Sequence, residues 1–232
     1  MRNTFRLIIS SLLIIALTAV ESEKKRPANI IIFISGGINH FRVRADKADL
    51  TVNLKNMGYD VVYTLEDLKK SQSSKIAGPM AEGDMPCIDT GRDPDFLADA
   101  TRKAIEVLSR NKKGFVLMAE GSEIDWACHD NNMKRTVDEL LDMDRAVSVA
   151  YEFAKREGHT LIVVTADHET GGLSITGGNI ETGEVTGSFN ANDHSAVMVP
   201  VFTYGPGSLT FTGVLDNTEL FRDFVRLLRL KK

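Results

Sequence analysis

Residues 161–172, LIVVTADHETGG, carry the two signals on which the rest of the reading turns. Residues 161–166 are an apolar, β-branched run without polar alternation. Such a run reads as a strand buried on both faces, which needs a sheet covered by helices on either side. Asp167, His168 and Glu169 follow at once. Titratable groups therefore stand just past the strand's carboxyl end, where open α/β sheets bind their ligands.

The same grammar recurs on either side. Residues 115–119 (FVLMA) form a second buried run, followed by Glu120, Asp125 and His129. Residues 199–204 (VPVFTY) form another, preceded by Asp193 and His194. Residues 29–34 (NIIIFI) and 59–63 (YDVVY) add two more. Between them lie helical stretches at 49–57, 66–70, 94–110, 131–156 and 216–230. In the third of these, Phe96, Leu97, Ala100, Ala104, Val107 and Leu108 share one face. Residues 76–85 are punctuated by glycine and read as irregular. Residues 171–187 suggest a hairpin turning near 181–183. Strands alternating with helices predict an α/β fold with a mostly parallel sheet flanked by helices.

The chain has 232 residues, 43% hydrophobic and 26% charged, a composition suited to one globular domain. A net charge of -4 argues against a basic nucleic-acid footprint. Arg2 and Arg6 precede an apolar run from 7 to 20, and Glu21, Glu23, Lys24, Lys25 and Arg26 follow it. This is the layout of a secretory signal peptide. The run is shorter than the roughly 20 residues of a membrane span. The expectation is a signal peptide at 1–20, a single domain at 21–232, a secreted or periplasmic location and no stable membrane anchor. An uncleaved N-terminal anchor is the alternative. Cys87 and Cys128 are the two cysteines available for pairing.

Three of the five histidines sit at strand ends beside carboxylates. Imidazole and carboxylate together suit zinc, and carboxylate oxygen with water suits magnesium. Asp125 and His129, four apart, face the same way on a helix. Glu169 and Glu123 are either groups that orient these ligands or solvated charges. Cys128 reads as a buried small residue rather than a thiolate ligand. His159 suits a helix end, and His40 a structural role. Gly36-Gly37 after a strand resembles the start of a phosphate-cradling loop, with no full nucleotide motif behind it.

Residues 120–129 (EGSEIDWACH) resemble the E-G-S/T-x-I-D-x-x-x-H motif of alkaline phosphatases, and residues 165–172 (TADHETGG) match that family's T-A-D-H-E-T-G-G stretch. Asp193-His194-Ser195, with V-P-V and G-P-G behind it, resembles a third segment. The resemblance implies secreted or periplasmic, usually homodimeric, metal-dependent phosphomonoesterases acting on phosphate monoesters, with two zinc ions and a magnesium ion. Carried over, Asp125, His129 and His194 are ligands of the first zinc. Asp167 and His168 are ligands of the second, and Glu120 is a magnesium ligand.

The chain also departs from the family. Residues 27–34 resemble the family's first strand, yet they run directly into a glycine-rich segment, residues 35–41 (SGGINHF), which the family places much later. The missing stretch is where the family keeps its nucleophile, and the sequence contains no Asp-Ser dipeptide. Asp89-Thr90 is the nearest substitute, and Arg42 or Arg44 the nearest phosphate clamp by chemistry. No catalytic residue is therefore assigned. The readings are a family member with reduced hydrolysis, a catalytically inactive metal- or phosphate-binding remnant, or a binding scaffold on the same sheet.

Overall fold

The structure, a computed structural model, describes residues 12–18 and 32–229. In chain order the elements are β1 (Leu12–Thr18), β2 (Ile32–Ser35), α1 (Ile38–Arg42), α2 (Leu50–Asn56), β3 (Asp60–Val61), α3 (Leu65–Lys70), β4 (Ile76–Pro79), α4 (Phe96–Leu108), β5 (Val116–Gly121), α5 (Glu123–His129), α6 (Met133–Glu157), β6 (Thr160–Thr165), β7 (Glu169–Thr170), β8 (Ser174–Asn179), β9 (Glu184–Ser188), β10 (His194–Ser195), β11 (Phe202–Tyr204) and α7 (Asn217–Leu227). Most helices and strands lie where the apolar periodicity puts them; α1, β1 and β4 do not. Strand β4 lies at residues read as irregular. All four of its residues are buried, so packing rather than propensity makes it a strand.

The α/β class holds, but the expectation of a mostly parallel sheet does not describe the pairing. The main sheet has the order β11-β6-β1-β5, and each of its three pairings is antiparallel. The parallel pairings lie in the smaller sheet, β2-β4-β3. The cause is β1. Strands β5 and β6 both oppose it, so they run parallel to each other, as a strand–helix–strand crossover through α6 requires. Ile15 pairs with Met118 on one side and Val163 on the other. Residues 12–18 belong to the stretch read as a signal peptide, and residues 1–11 and 19–20 of it lie outside the described residues. Among the described residues, no helix is long and apolar enough to cross a membrane.

Strand β6 is apolar from Leu161 to Val164 because both of its faces are covered. Ile162 packs with Met143, Ala146, Ala150 and Ala154 of α6. Leu161 and Val163 pack with Phe211 and the apolar side of α7. The alanines recur every four residues, which lets the 25-residue α6 lie close on the sheet. Asn132 caps its start by accepting from the Arg135 N–H, and Gly158 ends it at φ 82°. Helix α4 joins the two sheets. Ile105 enters the α6 core, while Ala100 and Val107 pack with Val62, Leu68 and Ile76.

A buried charge cluster sets the distance between α6 and the loop before α4. Arg92 pairs with Glu139 and with Asp142, the latter at 2.6 Å, and all three side chains are buried. Glu139 also accepts the Ile88 N–H at 2.8 Å. Burial pushes both carboxyls above their ordinary range, against the pull of Arg92. Beside this cluster lies a cavity of about 590 Å³, lined by Ser35 of β2, the α4 face and β5 from Val116 to Gly121. It separates the end of the main sheet at β5 from the smaller sheet.

Two stability measurements test this account. Ile15→Pro removes a ladder hydrogen bond from the middle of the main sheet. At a cost on the order of 2 kcal/mol, the melting temperature falls by roughly 4–8 °C; an unchanged melt shows that β1 does not hold β5 and β6 together. Arg92→Met leaves two buried carboxylates unpaired and costs about 3–5 kcal/mol at pH 7. A carboxyl whose folded pKa is raised binds its proton more tightly when folded, so the stability it contributes is present at low pH and lost as pH rises through that pKa. The deficit of Arg92→Met relative to the parent therefore shrinks as pH falls from about 7 to about 5, read by urea unfolding at each pH.

Candidate metal centre

Strands β5 and β6 end on the same side of the main sheet, and the segments that follow them supply the donors. The chain turns from β5 into α5, which carries Asp125 and His129 one helical turn apart. Asp125 Oδ2 lies 3.3 Å from His129 Nε2. After β6 come Asp167, His168 and the two-residue strand β7. Strand β7 pairs with β10, placing His194 opposite Thr170 and Ser195 opposite Glu169. This short ladder is what brings His194 to residues far from it in sequence.

Asp125, His129 and His194 close a triangle. His129 Nε2 is 3.2 Å from His194 Nε2 and 3.3 Å from Asp125 Oδ2. His194 Nε2 is 3.7 Å from Asp125 Oδ1. Ligands about 2.0–2.1 Å from a tetrahedral zinc stand about 3.3 Å from one another. These spacings are near that edge, with Asp125 offering Oδ2 to His129 and Oδ1 to His194; the donor groups within 4.8 Å of one another are Asp125 with His168 and His194, and His129 with Asp193 and His194. The tautomer of His129 fits as well. Its Nδ1 lies 2.7 Å from the carbonyl oxygen of Asn192, which only accepts. Nδ1 is therefore the donor to Asn192, and Nε2 is the ring nitrogen that faces Asp125 and His194.

His168 is oriented by a relay through Thr170. The Thr170 hydroxyl donates to Asp125 Oδ1 and lies 3.2 Å from His168 Nδ1. With its hydrogen pointed at the carboxylate, the hydroxyl accepts from Nδ1–H of His168. Nε2 of His168 then faces Asp167 Oδ2 at 3.4 Å. The His168 ring stacks on that of His194 at 3.6 Å. Asp125 is almost fully enclosed, whereas His129 and His168 are partly exposed and His194 more so. The site is anchored from inside and open outside.

The remaining sequence candidates sort by contact. Glu120 lies on β5 and lines the cavity. Glu169 accepts from the Ser195 hydroxyl and, at 3.1 Å, from the Leu173 N–H, so it ties β7 to β10 beneath His194. Glu123 is no solvated charge: it is buried against Arg135 at 2.7 Å, and Arg135 also holds Asp130 at 2.8 Å. Cys128 is buried near Thr136, its thiol pKa pushed up by burial. Cys87 and Cys128 are both free thiols. Thr90 turns its hydroxyl to the Cys87 carbonyl within a short 3-10 turn. Arg42 contacts Tyr63 and Asp49, and Arg44 pairs with Asp46. Gly36-Gly37 is not a phosphate cradle. The N–H groups of Gly37, Ile38 and Asn39 donate to the carbonyls of Gly83, Ala81 and Glu82, and any side chain at Gly36 would collide with Gly83.

Sequence reasoning did not single out Thr170 or assign Asp193 as a donor. A carboxylate oxygen of Asp193 lies within 4.8 Å of ring nitrogens of both His129 and His194. Its adjacency to His194 was the available signal. For Thr170 none existed, because its role depends on α5 meeting β7.

Strand-end histidines and carboxylates within metal-ligand reach of one another define an α/β protein with a candidate divalent-metal site. The comparisons name the family. The alkaline phosphatase profile matches residues 38–188. The chain is 30% identical to alkaline phosphatase 4 of Bacillus subtilis, over 94% of this chain and 62% of that one. It is 37% identical to the alkaline phosphatase of Escherichia coli, over 58% of this chain and 32% of that one. Its structure superposes on alkaline phosphatase from the Antarctic bacterium TAB5 with a TM-score of 0.79 and 36% identity, over 87% of this chain and 61% of that one. Variants of the TAB5 enzyme have Mg bound in the M3 site. The chain belongs to the alkaline phosphatase family. It spans about three fifths of the length of the Bacillus and TAB5 relatives. The Bacillus alignment runs over 286 positions while taking up 94% of this shorter chain, so the relative carries internal sequence with no counterpart here.

The relay makes a direct prediction. Thr170→Val removes the hydroxyl that orients both Asp125 and His168, and zinc affinity falls about 10–100-fold in a chelator-competition titration. Thr170→Ser keeps the hydroxyl and most of the affinity. Equal losses in both variants would assign Thr170 to packing instead.

Proposed function

We propose that this chain is an exported, metal-dependent member of its family that binds phosphate monoesters at the Asp125–His129–His194 centre and hydrolyses them slowly. The gathering of the Asp125 carboxylate and the His129 and His194 rings within 3.2–3.7 Å of one another carries the reading. Zinc as the resident ion, with Asp167 and His168 as a second set and Glu120 as a magnesium donor, belongs to the same proposal. So does a homodimeric state, which light scattering reads. A bound zinc ion polarises phosphoryl oxygens and lowers the pKa of water.

The chain's own groups do the positioning. Asn192 holds His129 by its Nδ1–H, and Thr170 holds Asp125 and His168. Glu169 holds the strand that carries His194. Trp126, half-exposed and 6.0 Å from the His129 ring, offers an apolar face for the alcohol portion of an aromatic ester. Two hydroxyls near the donors, Thr170 and Ser195, are each committed to a carboxylate. The sequence also lacks the family's Asp-Ser nucleophile. Removing a triad nucleophile from a hydrolase costs about a million-fold in turnover, which supports slow rather than full activity.

The absent nucleophile also favours the second reading, a catalytically inactive protein that binds metal and phosphate ligands. One experiment separates the two. The purified chain is loaded with zinc and magnesium, and 4-nitrophenyl phosphate is supplied at alkaline pH. The expected result is zinc-dependent turnover far below that of full-length relatives, abolished by chelator and by Asp125→Ala. Ester binding without turnover supports the inactive reading. Absence of metal binding refutes both.

A further inference from the structure

The cavity between β5 and the smaller sheet has the size and chemistry of a second binding site. Its volume of about 590 Å³ lies in the range of small-molecule pockets. None of the described histidines lines it. One wall is α4, where Leu97, Thr101, Ala104 and Leu108 recur at helical spacing and form a single stripe facing the cavity. That apolar stripe is interrupted once. Thr101 is only 3% exposed, and its hydroxyl has no hydrogen-bond partner among the described residues. A buried helical threonine can give its hydroxyl hydrogen to the carbonyl four residues back, as Thr136 does to Asn132 at 2.9 Å. Thr101 does not. A second donor stands on the same cavity. Arg92 gives its terminal nitrogens to Glu139 and Asp142, and its Nε–H is left buried without an acceptor.

We propose that this cavity binds a small uncharged carbonyl compound with a compact apolar body. The carbonyl oxygen accepts from the Thr101 hydroxyl, and the body lies on Leu97, Ala104 and Leu108. Three alternatives fit less well. Water needs two to four polar partners, and the stripe offers it one hydroxyl; water held so loosely is displaced with a gain in affinity by an apolar group. An anion would add negative charge beside Glu139 and Asp142, which are buried and outnumber Arg92. An ammonium group carries donors only and leaves both unmet hydrogens, on Thr101 and on Arg92 Nε, without an acceptor. A neutral acceptor is the group that the two buried donors lack.

Ligand-observed NMR titrations of the full chain with acetophenone, cumene, benzoate and benzylamine test this. Cumene has nearly the shape of acetophenone without the oxygen. Benzoate carries a negative charge and benzylamine a positive one. Acetophenone is expected to bind about 3–10-fold more tightly than cumene, the worth of one buried hydrogen bond, and more tightly than either charged probe. Thr101→Val keeps the shape of the wall and lowers acetophenone to the level of cumene. Its melting temperature stays at or above that of the parent, because the hydroxyl removed has no partner. Thr101→Ser keeps the preference for acetophenone. Equal affinity for acetophenone and cumene, tighter binding of a charged probe, or binding of no probe, which leaves water as the occupant, would each overturn the proposal. So would an acetophenone preference that survives Thr101→Val, which places the probe elsewhere. A lower-melting Thr101→Val chain would overturn it as well, since the hydroxyl would then already be partnered within the protein.

Discussion

The parallel course of β5 and β6 is the constraint on which the rest depends. The two strands are joined by the long helix α6, and one right-handed crossover brings their carboxyl ends to the same side of the sheet. Every donor of the centre follows from that. Residues 123–129 leave one strand end as a helix, and residues 167–170 leave the other as a loop and a short strand. The alanines at 146, 150 and 154 let the crossover helix sit close enough for both ends to meet. Larger side chains there would push α6 away from β5 and β6, and Asp125 away from Thr170.

Asp125 is the point at which folding and chemistry meet. A buried carboxylate is costly unless it is hydrogen-bonded or holds a cation. The Thr170 hydroxyl meets one oxygen, and the His129 and His194 rings face the group from the open side. The same economy of buried charge recurs twice away from the centre. Arg92 with Glu139 and Asp142 joins the loop before α4 to α6, and Arg135 with Glu123 joins α6 to α5. Replacing such pairs by apolar groups is often neutral, while breaking one partner is expensive. They therefore fix relative positions more than they add stability.

The main sheet also records what the chain lacks relative to its family. A strand is needed between β5 and β6 if their ladders are to be satisfied, because a sheet interior without partners leaves rows of N–H and C=O groups unpaired. In this chain residues 12–18 fill the position, running against both neighbours. A cavity lies beyond β5, at the end of the main sheet. An apolar run with a basic start reads as a signal peptide from its composition, and the same run has the β-branched, uncharged character of a buried strand. Composition cannot separate these, since both call for apolar side chains without charge.

What the sequence determined by itself is whatever local periodicity and local chemistry encode. The runs at 115–119 and 161–166 are strands because no polar side chain interrupts them. The 94–110 and 131–156 stretches are helices because their apolar residues recur every three or four positions. The Asp125 and His129 pairing follows from four-residue spacing on one helix. The tertiary structure alone decided the rest. It made the main sheet antiparallel in its pairings through β1, and it turned the glycine-punctuated residues 76–79 into a strand by burying them. It placed Glu123 with Arg135 rather than in solvent, and brought Thr170 to Asp125 and His194 to His129 across 45 and 65 residues of sequence. The physical reason is the same in each case. Strand partners, buried ion pairs and metal donors are contacts between distant residues, and their energy depends on which surfaces meet rather than on the residues flanking each one in the chain.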